Sequence, residues 1–169
     1  MIPSDLLLPD FHRIIQTSMG WDNSHLHQFI KNGTFYTMRM KDDDFWNDMN
    51  NVDYKRMRIC DLLQKEKEKI VYEYDFGDGW EHDIILEKIV PVDAHTNYPV
   101  CLAGKNNCPP EDCGGVWGYA RMLAVLKEPD HEEHESYMEW LGEEFDPEYF
   151  DKDEVNALLR RKDYGCIGF

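Results

Sequence analysis

Long hydrophobic runs are missing from this sequence. No apolar stretch approaches the roughly 20 residues that a membrane-spanning helix needs. The N-terminal segment MIPSDLLLPDFH has no basic residues followed by an apolar run, so it does not have the pattern of a secretory signal peptide. We therefore expect a soluble, cytoplasmic protein with no membrane segment.

Basic residues are also scarce. Eighteen lysines and arginines stand against 34 aspartates and glutamates, which gives a formal net charge of −16 over 169 residues. Such a chain repels nucleic-acid phosphates unless it carries a local basic patch. The basic clusters, Lys55–Arg58 and Arg160–Lys162, are short, and the second is expected to complement a helix C-terminus. A nucleic-acid partner is therefore not expected, whereas a basic protein or peptide would suit the acidic surface.

A recognisable nucleophile is absent too, because no serine or cysteine has an evident base partner in the sequence. The five cysteines are odd in number and no export signal precedes them, so reduced thiols are expected. Cys101, Cys108 and Cys113 lie in a loop-rich segment and could give three thiolates to a metal ion. His25, His27 or His82 could add a fourth ligand. Their spacing is not the paired pattern of most structural zinc sites, and the alternative is that the thiols are small buried hydrophobes.

Apolar material is plentiful, since hydrophobic residues make up 42% and aromatic residues 13% of the chain. This is enough for one domain with a real core. Helical spacing of apolar residues over 8–19, followed by Gly20, predicts a first helix. A tight turn at Lys31-Asn32-Gly33 predicts a hairpin that continues into Thr34–Met38. Residues 39–51 are predicted to be a polar, acidic loop in which Phe45 and Trp46 could serve as anchors.

Strand patterns fill the middle of the chain and helix patterns fill its end. Short strand Tyr54–Ile59, a helical turn at Asp61-Leu62-Leu63, and the two best strands, Lys69–Phe76 and Trp80–Val90, are predicted. Three helices are predicted over Val116–Lys127, His131–Leu141 and Asp151–Arg161. This order favours an α+β fold. We expect a mainly antiparallel sheet built from hairpins, with one helix in the N-terminal half and three C-terminal helices packed on it.

Two registers are open for the central hairpin. A two-residue turn at Asp78-Gly79 would place Asp75 opposite His82. A three-residue loop over Gly77–Gly79 would place Phe76 opposite Trp80 and Tyr74 opposite His82, with aromatic groups on one face and acids on the other. We prefer the second register. It places Asp75 opposite Glu81, an unfavourable like-charge pair that a cation or basic partner could neutralise, although a solvated face screened by salt is the simpler interpretation.

The segment Pro109-Pro110-Glu111-Asp112, followed by Gly114-Gly115, is a rigid loop just before a predicted helix. Its acids could be a structural cap for that helix, because anionic groups are favourable near a helix N-terminus. Alternatively, the loop presents carboxylates to a binding site.

Three long stretches together resemble one known family. They are GWDNSHLHQF at 20–29, YEYDFGDGWEHDIILEKI at 72–89 and YPVCLAGKNNCPPEDCGGVWGY at 98–119, and they resemble the plasmid pRi ORF-3-like family. The resemblance implies one α+β domain over residues 1–169 that lacks a further N-terminal strand usual in the family. It implies no established activity, although some relatives carry a resolvase-like label. The motif residues and the acidic face of the hairpin suggest one candidate cleft. Its predicted members are Trp21, His25, His27, Tyr74, Asp75, Asp78, Trp80, Glu81, His82, Glu111, Asp112 and Tyr119.

Three functions compete at this point. The first is a noncatalytic binding or interaction module with an acidic–aromatic cleft. The second is a metal-assisted hydrolase, which would hold a divalent ion as its cofactor and needs at least three ligands within reach of one point. Its candidate ligands are His25, Asp75, Glu81, His82, Glu111 and Asp112. The third, a DNA-associated protein of a mobile element, rests on analogy alone, and the charge of the chain disfavours it.

Overall fold

The computed structural model describes residues 1–39, 50–142 and 145–168, which form a five-stranded sheet with helices against it. The first half of the described chain contains α1 (Leu8–Met19), β1 (His27–Lys31), β2 (Thr34–Thr37), β3 (Asn51–Asp53) and α2 (Ile59–Leu62). The second half contains β4 (Lys69–Tyr74), β5 (Trp80–Ile85), α3 (Gly115–Val125), α4 (His134–Leu141) and α5 (Lys152–Leu159). A 3-10 turn at Lys162–Gly165 follows α5.

Helix α1 confirms the first predicted helix. Its apolar residues recur at helical spacing, so Leu8, Phe11 and Ile14 are buried on one face. The Phe11 ring stacks on Phe29 of β1, with 5.9 Å between ring centroids. Gly20 ends the helix in the left-handed region at φ 89°, where a residue without Cβ is unstrained.

The sheet has the strand order β3-β2-β1-β4-β5. Its first hairpin is as predicted: Lys31 pairs with Thr34 across a two-residue turn, and both turn residues, Asn32 and Gly33, have positive φ. The expectation of a mainly antiparallel sheet was wrong, because β3 runs parallel to β2 and the sheet is mixed. Two parallel strands that pair are joined by a long crossover connection. Local hairpin signals in the sequence therefore do not predict the pairing of β3 with β2.

The strand predicted for Tyr54–Ile59 was also wrong, since β3 ends at Asp53. Tyr54 is fully buried, and its ring meets Phe29 edge-on at 5.7 Å. The chain then turns, with the Met57 N–H donating to the Tyr54 carbonyl at 2.9 Å, and enters α2. The loop predicted for 39–51 falls largely on residues 40–49, with Phe45 and Trp46, and these lie outside the described residues.

The register of the central hairpin differs from both predicted alternatives. Tyr74 pairs with Trp80 and Tyr72 pairs with His82, so five residues separate the strands. The preferred register was off by two residues. Because side chains alternate with period two, the aromatic face was assigned correctly but every partner was wrong. The like-charge pair on the outer face is therefore Glu73 with Glu81.

Asp75 explains this difference in register. It adopts φ 54° and leaves the strand, and its carbonyl accepts a hydrogen bond from the Gly79 N–H at 2.6 Å. On the outer face, the Gln28 amide donates to Glu73 at 2.5 Å, and Lys69 pairs with Asp83 at 2.9 Å. Protein groups therefore offset part of the negative charge that a cation or partner was expected to neutralise.

The C-terminal helices do not all pack on the sheet as expected. Helix α5 lies against α1 and contributes Leu159 to the core. The Asp151 side chain caps α5 by accepting from the N–H groups of Asp153 and Glu154. Helix α4 buries none of its described side chains. Among the described residues, no helix is long and apolar enough to cross a membrane.

Candidate functional site

Three segments that are distant in sequence meet beside the end of β4. They are the stretch after α1, the start of the β4–β5 connection, and the loop that contains Pro109 and Pro110. The Trp21 indole N–H donates to the Pro109 carbonyl at 3.0 Å, and its ring stacks on Tyr74 with centroids 4.7 Å apart. Trp21 is only 3% exposed, so this contact fixes the proline-containing loop over the edge of the core.

Glu111 is held firmly by one of its two oxygens. Its Oε1 accepts hydrogen bonds from the Tyr74 hydroxyl at 2.9 Å and from the Asp22 backbone N–H at 3.1 Å. The Tyr74 hydroxyl in turn accepts from the Ser24 N–H at 3.1 Å. Burial is the main cause that raises the pKa of Glu111 above its ordinary value.

His25 lies among three carboxylates. Its Nε2 is 3.3 Å from Asp112 Oδ1 and 3.8 Å from Glu111 Oε2, and its Nδ1 is 3.8 Å from Asp75 Oδ1. His25 Nε2 and Glu111 Oε2 are both buried atoms without a hydrogen-bond partner among the described residues. Buried polar atoms are nearly always satisfied, so this facing pair needs an explanation.

The backbone places two of these carboxylates by unusual conformations. Asp75 and Asp112 both have left-handed φ, at 54° and 57°. The Asp75 carboxylate is anchored by the Gly77 N–H at 2.9 Å. Side chains other than glycine occupy this region at a cost, and such residues concentrate at functional sites.

A close backbone approach joins the two loops that carry these acids. Asp78 accepts a hydrogen bond from the Gly114 N–H at 3.0 Å. A Cβ at Gly115 would lie 2.3 Å from the Asp78 carbonyl oxygen, so only glycine permits this contact. Helix α3 has Gly114 at its N-cap and no side-chain cap, so Glu111 and Asp112 do not cap the helix as the first alternative required.

The ligand atoms of His25, Asp75 and Asp112 lie within 4.8 Å of one another. Imidazole nitrogen and carboxylate oxygen are the donors that zinc and similar divalent ions take in proteins. Bonds of about 2.0–2.1 Å at tetrahedral angles separate two ligand atoms by about 3.3 Å, which is the separation of His25 Nε2 and Asp112 Oδ1. The Asp112 side chain is 75% exposed, so the cluster is open to solvent on that side.

A groove adjoins the cluster, and three of the predicted cleft residues, Trp21, Glu111 and Asp112, line it. This groove has a volume of about 450 Å³, and Glu111 and Asp112 form part of its wall. The rest of its lining is largely apolar: Met19, Gly20, Trp21, Asn107, Cys108, Pro109, Pro110, Trp140, Leu141 and Phe145. A ligand in this cleft would therefore reach the carboxylates of the cluster.

Several other predicted cleft residues pack around Trp21 or against the core rather than joining the cluster. Trp80 lies beside Trp21 with centroids 6.1 Å apart, and His82 meets the same indole edge-on at 5.3 Å. Burial lowers the pKa of His82. Tyr119 packs against the core.

Two further predicted residues lie away from the cluster. His27 is directed into the core, where it stacks on His12 at 3.4 Å between centroids. Glu81 is exposed on the outer face of the sheet, opposite Glu73.

The three cysteines that were candidate ligands do not belong to the cluster. Among the described residues, the one group of three or more potential ligands is His25 with Asp75 and Asp112. The Cys101 thiol lies 3.4 Å from the Ala103 carbonyl. Burial raises the pKa of the thiols of Cys108 and Cys113, which disfavours the thiolate form.

Asp22 contributes to the site but was not among the predicted residues. It lies between Trp21 and His25 in the GWDNSHLHQF stretch, and its backbone N–H holds Glu111. Its carboxyl group has a lowered pKa, chiefly because Ser24 hydrogen-bonds it. Its position within a motif that had already supplied three predicted cleft residues was the available signal.

The comparisons with known proteins agree with the resemblance found in the sequence. The plasmid pRiA4b ORF-3-like protein family matches residues 1–154. An uncharacterised protein, y4hQ of Sinorhizobium fredii (strain NBRC 101917 / NGR234), is 38% identical over 149 residues, which cover 84% of this chain and 71% of that protein. The crystal structure of MM3350 from Methanosarcina mazei Go1, a protein of unknown function, superposes with a TM-score of 0.77 at 40% identity, covering 90% of this chain and 85% of that one. The chain therefore belongs to the plasmid pRiA4b ORF-3-like family.

Proposed function

We propose that this family member binds a divalent metal ion at the cluster of His25, Asp75 and Asp112, with Glu111 Oε2 as a further ligand, and that the ion organises the adjoining groove as a binding site. The observation that carries the proposal is the pair of buried, unpartnered atoms, His25 Nε2 and Glu111 Oε2, which face each other at 3.8 Å. A cation between them would satisfy both atoms at once. Asp112 Oδ1, 3.3 Å from the same nitrogen, supplies a third ligand.

Asp75 approaches the imidazole from the other side. It lies on the Nδ1 side of the imidazole, whereas the other two carboxylates lie on the Nε2 side. Metal-binding histidines usually donate their second N–H to a carboxylate, which fixes the tautomer and the ring orientation. At 3.8 Å from Nδ1, Asp75 makes no hydrogen bond to the ring, so it would orient His25 in this way only after a small movement, and it is also within reach of the same ion.

The charge of the cluster indicates the class of ligand. Asp75, Glu111 and Asp112 together carry three negative charges when ionised, so a divalent ion leaves one negative charge in excess. The aromatic lining of the cleft also favours cationic groups, which bind over aromatic faces. We therefore infer a neutral or basic ligand, such as a basic peptide segment, rather than a phosphate or a nucleic acid.

Metal content is the direct test. The protein would be purified without a metal-binding tag, stripped with a chelator, reloaded with zinc or manganese, and assayed by elemental analysis. We expect about one ion per chain. In His25→Phe, which keeps a ring against Tyr74, and in Glu111→Gln, which keeps an acceptor for Tyr74 and Asp22, the bound ion should be lost.

Matched variants control for nonspecific effects. His95→Ala and Asp130→Asn change exposed residues outside the cluster and should still bind one ion. The competing explanation is a protonated His25 paired with its carboxylates. Under that explanation no stoichiometric ion is found. This result would refute the proposal.

Metal-assisted hydrolysis is a second candidate, favoured by one observation. The raised pKa of Glu111 and its unpartnered oxygen are features of a carboxyl group that can exchange a proton with a metal-bound water. This candidate predicts that the metal-loaded protein turns over ester or amide substrates. The turnover should be lost in Glu111→Gln, even at a metal concentration high enough to load that variant. Binding without turnover across such a panel leaves the noncatalytic module.

A further inference from the structure

A second groove, distant in sequence from the metal cluster, lies at the C-terminal end of α5. It has a volume of about 610 Å³. Its lining includes the segment Asn97–Pro99, the core residue Leu159, and the adjacent arginines Arg160 and Arg161. Asp10, Asp163 and Tyr164 complete the lining.

The walls of this groove are tied together by a buried amide. Asn156 of α5 accepts from the Cys101 N–H at 2.8 Å and donates to the Cys101 carbonyl at 2.9 Å. This two-way hydrogen bond fixes the chain just after Asn97–Pro99 against the helix. The Met1 carbonyl also accepts from the Val100 N–H at 2.9 Å. The groove is therefore preformed.

The charges in the groove are unequally engaged. Both acids pair with cations outside it: Asp10 with Arg13 at 3.0 Å and Asp163 with Lys162 at 3.8 Å. The side chains of Arg160 and Arg161 make no ion pair or hydrogen bond with any described residue. Both arginines are exposed, so their guanidinium groups are open to a ligand from solvent.

The turn that follows these arginines is strained. Asp163 and Tyr164 are consecutive non-glycine residues with left-handed φ, at 51° and 58°. Gly165 continues the turn, and a Cβ there would lie 2.7 Å from the Leu158 carbonyl oxygen. Consecutive residues in this region cost free energy and persist where the surroundings require them. Here the turn brings the Tyr164 side chain into the groove beside the arginines.

We propose that this groove binds an oxyanion, a phosphate or carboxylate group, through the guanidinium groups of Arg160 and Arg161. Guanidinium is planar and bonds such groups through two parallel N–H donors. The Asn97 amide and the tyrosine hydroxyls add neutral donors. This site is independent of the metal site, which lies among other residues and favours neutral or basic ligands.

The helix-end explanation competes with this one. Basic residues in the last turn of a helix are favourable for its dipole, and this alone could account for Arg160. It predicts an effect on stability but no saturable binding of an anion.

The test is an NMR titration of amide resonances with inorganic phosphate, with acetate, and with chloride at matched ionic strength. We expect saturable shifts, absent with chloride, that centre on Asn97, Tyr98, Arg161 and Tyr164. Saturation by phosphate alone would identify a phosphoryl ligand, and saturation by both anions a ligand class that includes carboxylates. No saturable shift, or shifts centred elsewhere, would overturn the proposal even if no variant folded.

Variants locate the site. In R160Q/R161Q the affinity should fall at least about tenfold, because each charge-assisted hydrogen bond contributes more than the 1.4 kcal/mol that corresponds to a factor of ten. Arg56→Gln changes an exposed arginine of the other basic cluster and should leave the affinity unchanged. Equal affinity in R160Q/R161Q, or an equal loss in Arg56→Gln, would contradict the assignment.

Discussion

Two histidines separated only by Leu26 have opposite environments. His27 on β1 is directed into the core and stacks on His12, with ring planes 3° apart. His25, two residues earlier, lies at the surface cluster with an unpartnered nitrogen and three carboxylates around it. His27 is part of the packed core, whereas His25 has a buried nitrogen without a hydrogen-bond partner among the described residues.

His12, one member of the stacked pair, belongs to a closed cycle of hydrogen bonds. Gln16 donates to the Tyr72 hydroxyl at 2.9 Å, and that hydroxyl lies 2.8 Å from His12 Nδ1. His12 Nε2 lies 2.7 Å from Asn23 Oδ1, and the Asn23 N–H donates to Gln16 Oε1 at 3.1 Å. This cycle requires the neutral tautomer with its proton on Nε2. All four side chains are buried, and every bond is consistent with one proton arrangement.

The buried polar groups of this molecule differ in whether a protein group satisfies them. Satisfied groups such as His12 stabilise one packing of the core. An unsatisfied buried atom such as His25 Nε2 contributes no such bond, and it lies where the proposed ion would bind.

Acid should destabilise the protein through the stacked pair. Burial lowers the pKa of His12 to about 4 and that of His27 to about 2, from an ordinary 6.5. Because the unfolded chain takes up protons first, their stabilising contribution is complete above pH 6.5 and is lost as pH falls below it. The free energy of unfolding should fall by about 3 kcal/mol per histidine between pH 6.5 and 4, measured by urea denaturation.

A matched variant isolates this effect. His95→Gln changes an exposed histidine and should show the same loss of stability with falling pH as the wild type. A stability that stays constant from pH 7 to 4.5 would mean that both rings take up protons equally in the folded and the unfolded chain, and the neutral cycle as described would be wrong.

Breaking the cycle at Tyr72 should have the next largest effect. Tyr72→Phe keeps the ring but removes the hydroxyl that joins Gln16 to His12. Two buried groups then lack a partner, at about 1–3 kcal/mol each, so we expect a loss of about 2–4 kcal/mol in urea unfolding. Tyr149→Phe removes an exposed hydroxyl bonded to Glu154 and should cost under about 0.5 kcal/mol. Similar losses in the two variants would remove the distinction between buried and exposed networks.

Sequence reasoning succeeds for those parts of the fold that local signals determine. The period of α1 and the Asn32-Gly33 turn are local signals, and both elements were predicted correctly. The register of β4 and β5 depends on Asp75 leaving the strand, which its neighbours in sequence do not reveal. The parallel pairing of β3 with β2 likewise depends on contacts distant in sequence.

The site was predicted in composition but not in arrangement. His25, Asp75 and Asp112 were all among the predicted cleft residues, because they lie in long family motifs. His27 was grouped with them because, in a strand that contained both residues, His25 and His27 would lie on the same side. Residues before the strand need not follow that alternation, and β1 begins only at His27. His12 was missed because a histidine in an amphipathic helix gives no signal of its buried partner on β1.

A divalent ion should stabilise the wild type and not His25→Phe. At a free ion concentration of 100 times Kd, the expected gain is about 2.7 kcal/mol. For a chain of this size the corresponding rise in Tm is about 5–10 °C, measurable by differential scanning calorimetry with and without chelator. His95→Ala should respond like the wild type. An equal rise in His25→Phe would locate the ion elsewhere and leave His25 without the role that its unpartnered nitrogen suggests.

The smallest effect should come from His25→Phe in metal-free protein. The imidazole is half-buried, and its separations from the three carboxylates are 3.3–3.8 Å, so little favourable interaction is lost when a phenyl ring replaces it. Partly exposed ion pairs contribute about 0–1 kcal/mol, and we expect a change within that range in urea unfolding under chelator. His12→Phe, by comparison, removes two buried hydrogen bonds and should cost several times more. If the two variants were equally destabilised, His25 would be a structural residue like its neighbour in the core, since a group held ready for a ligand contributes to stability only when that ligand is bound.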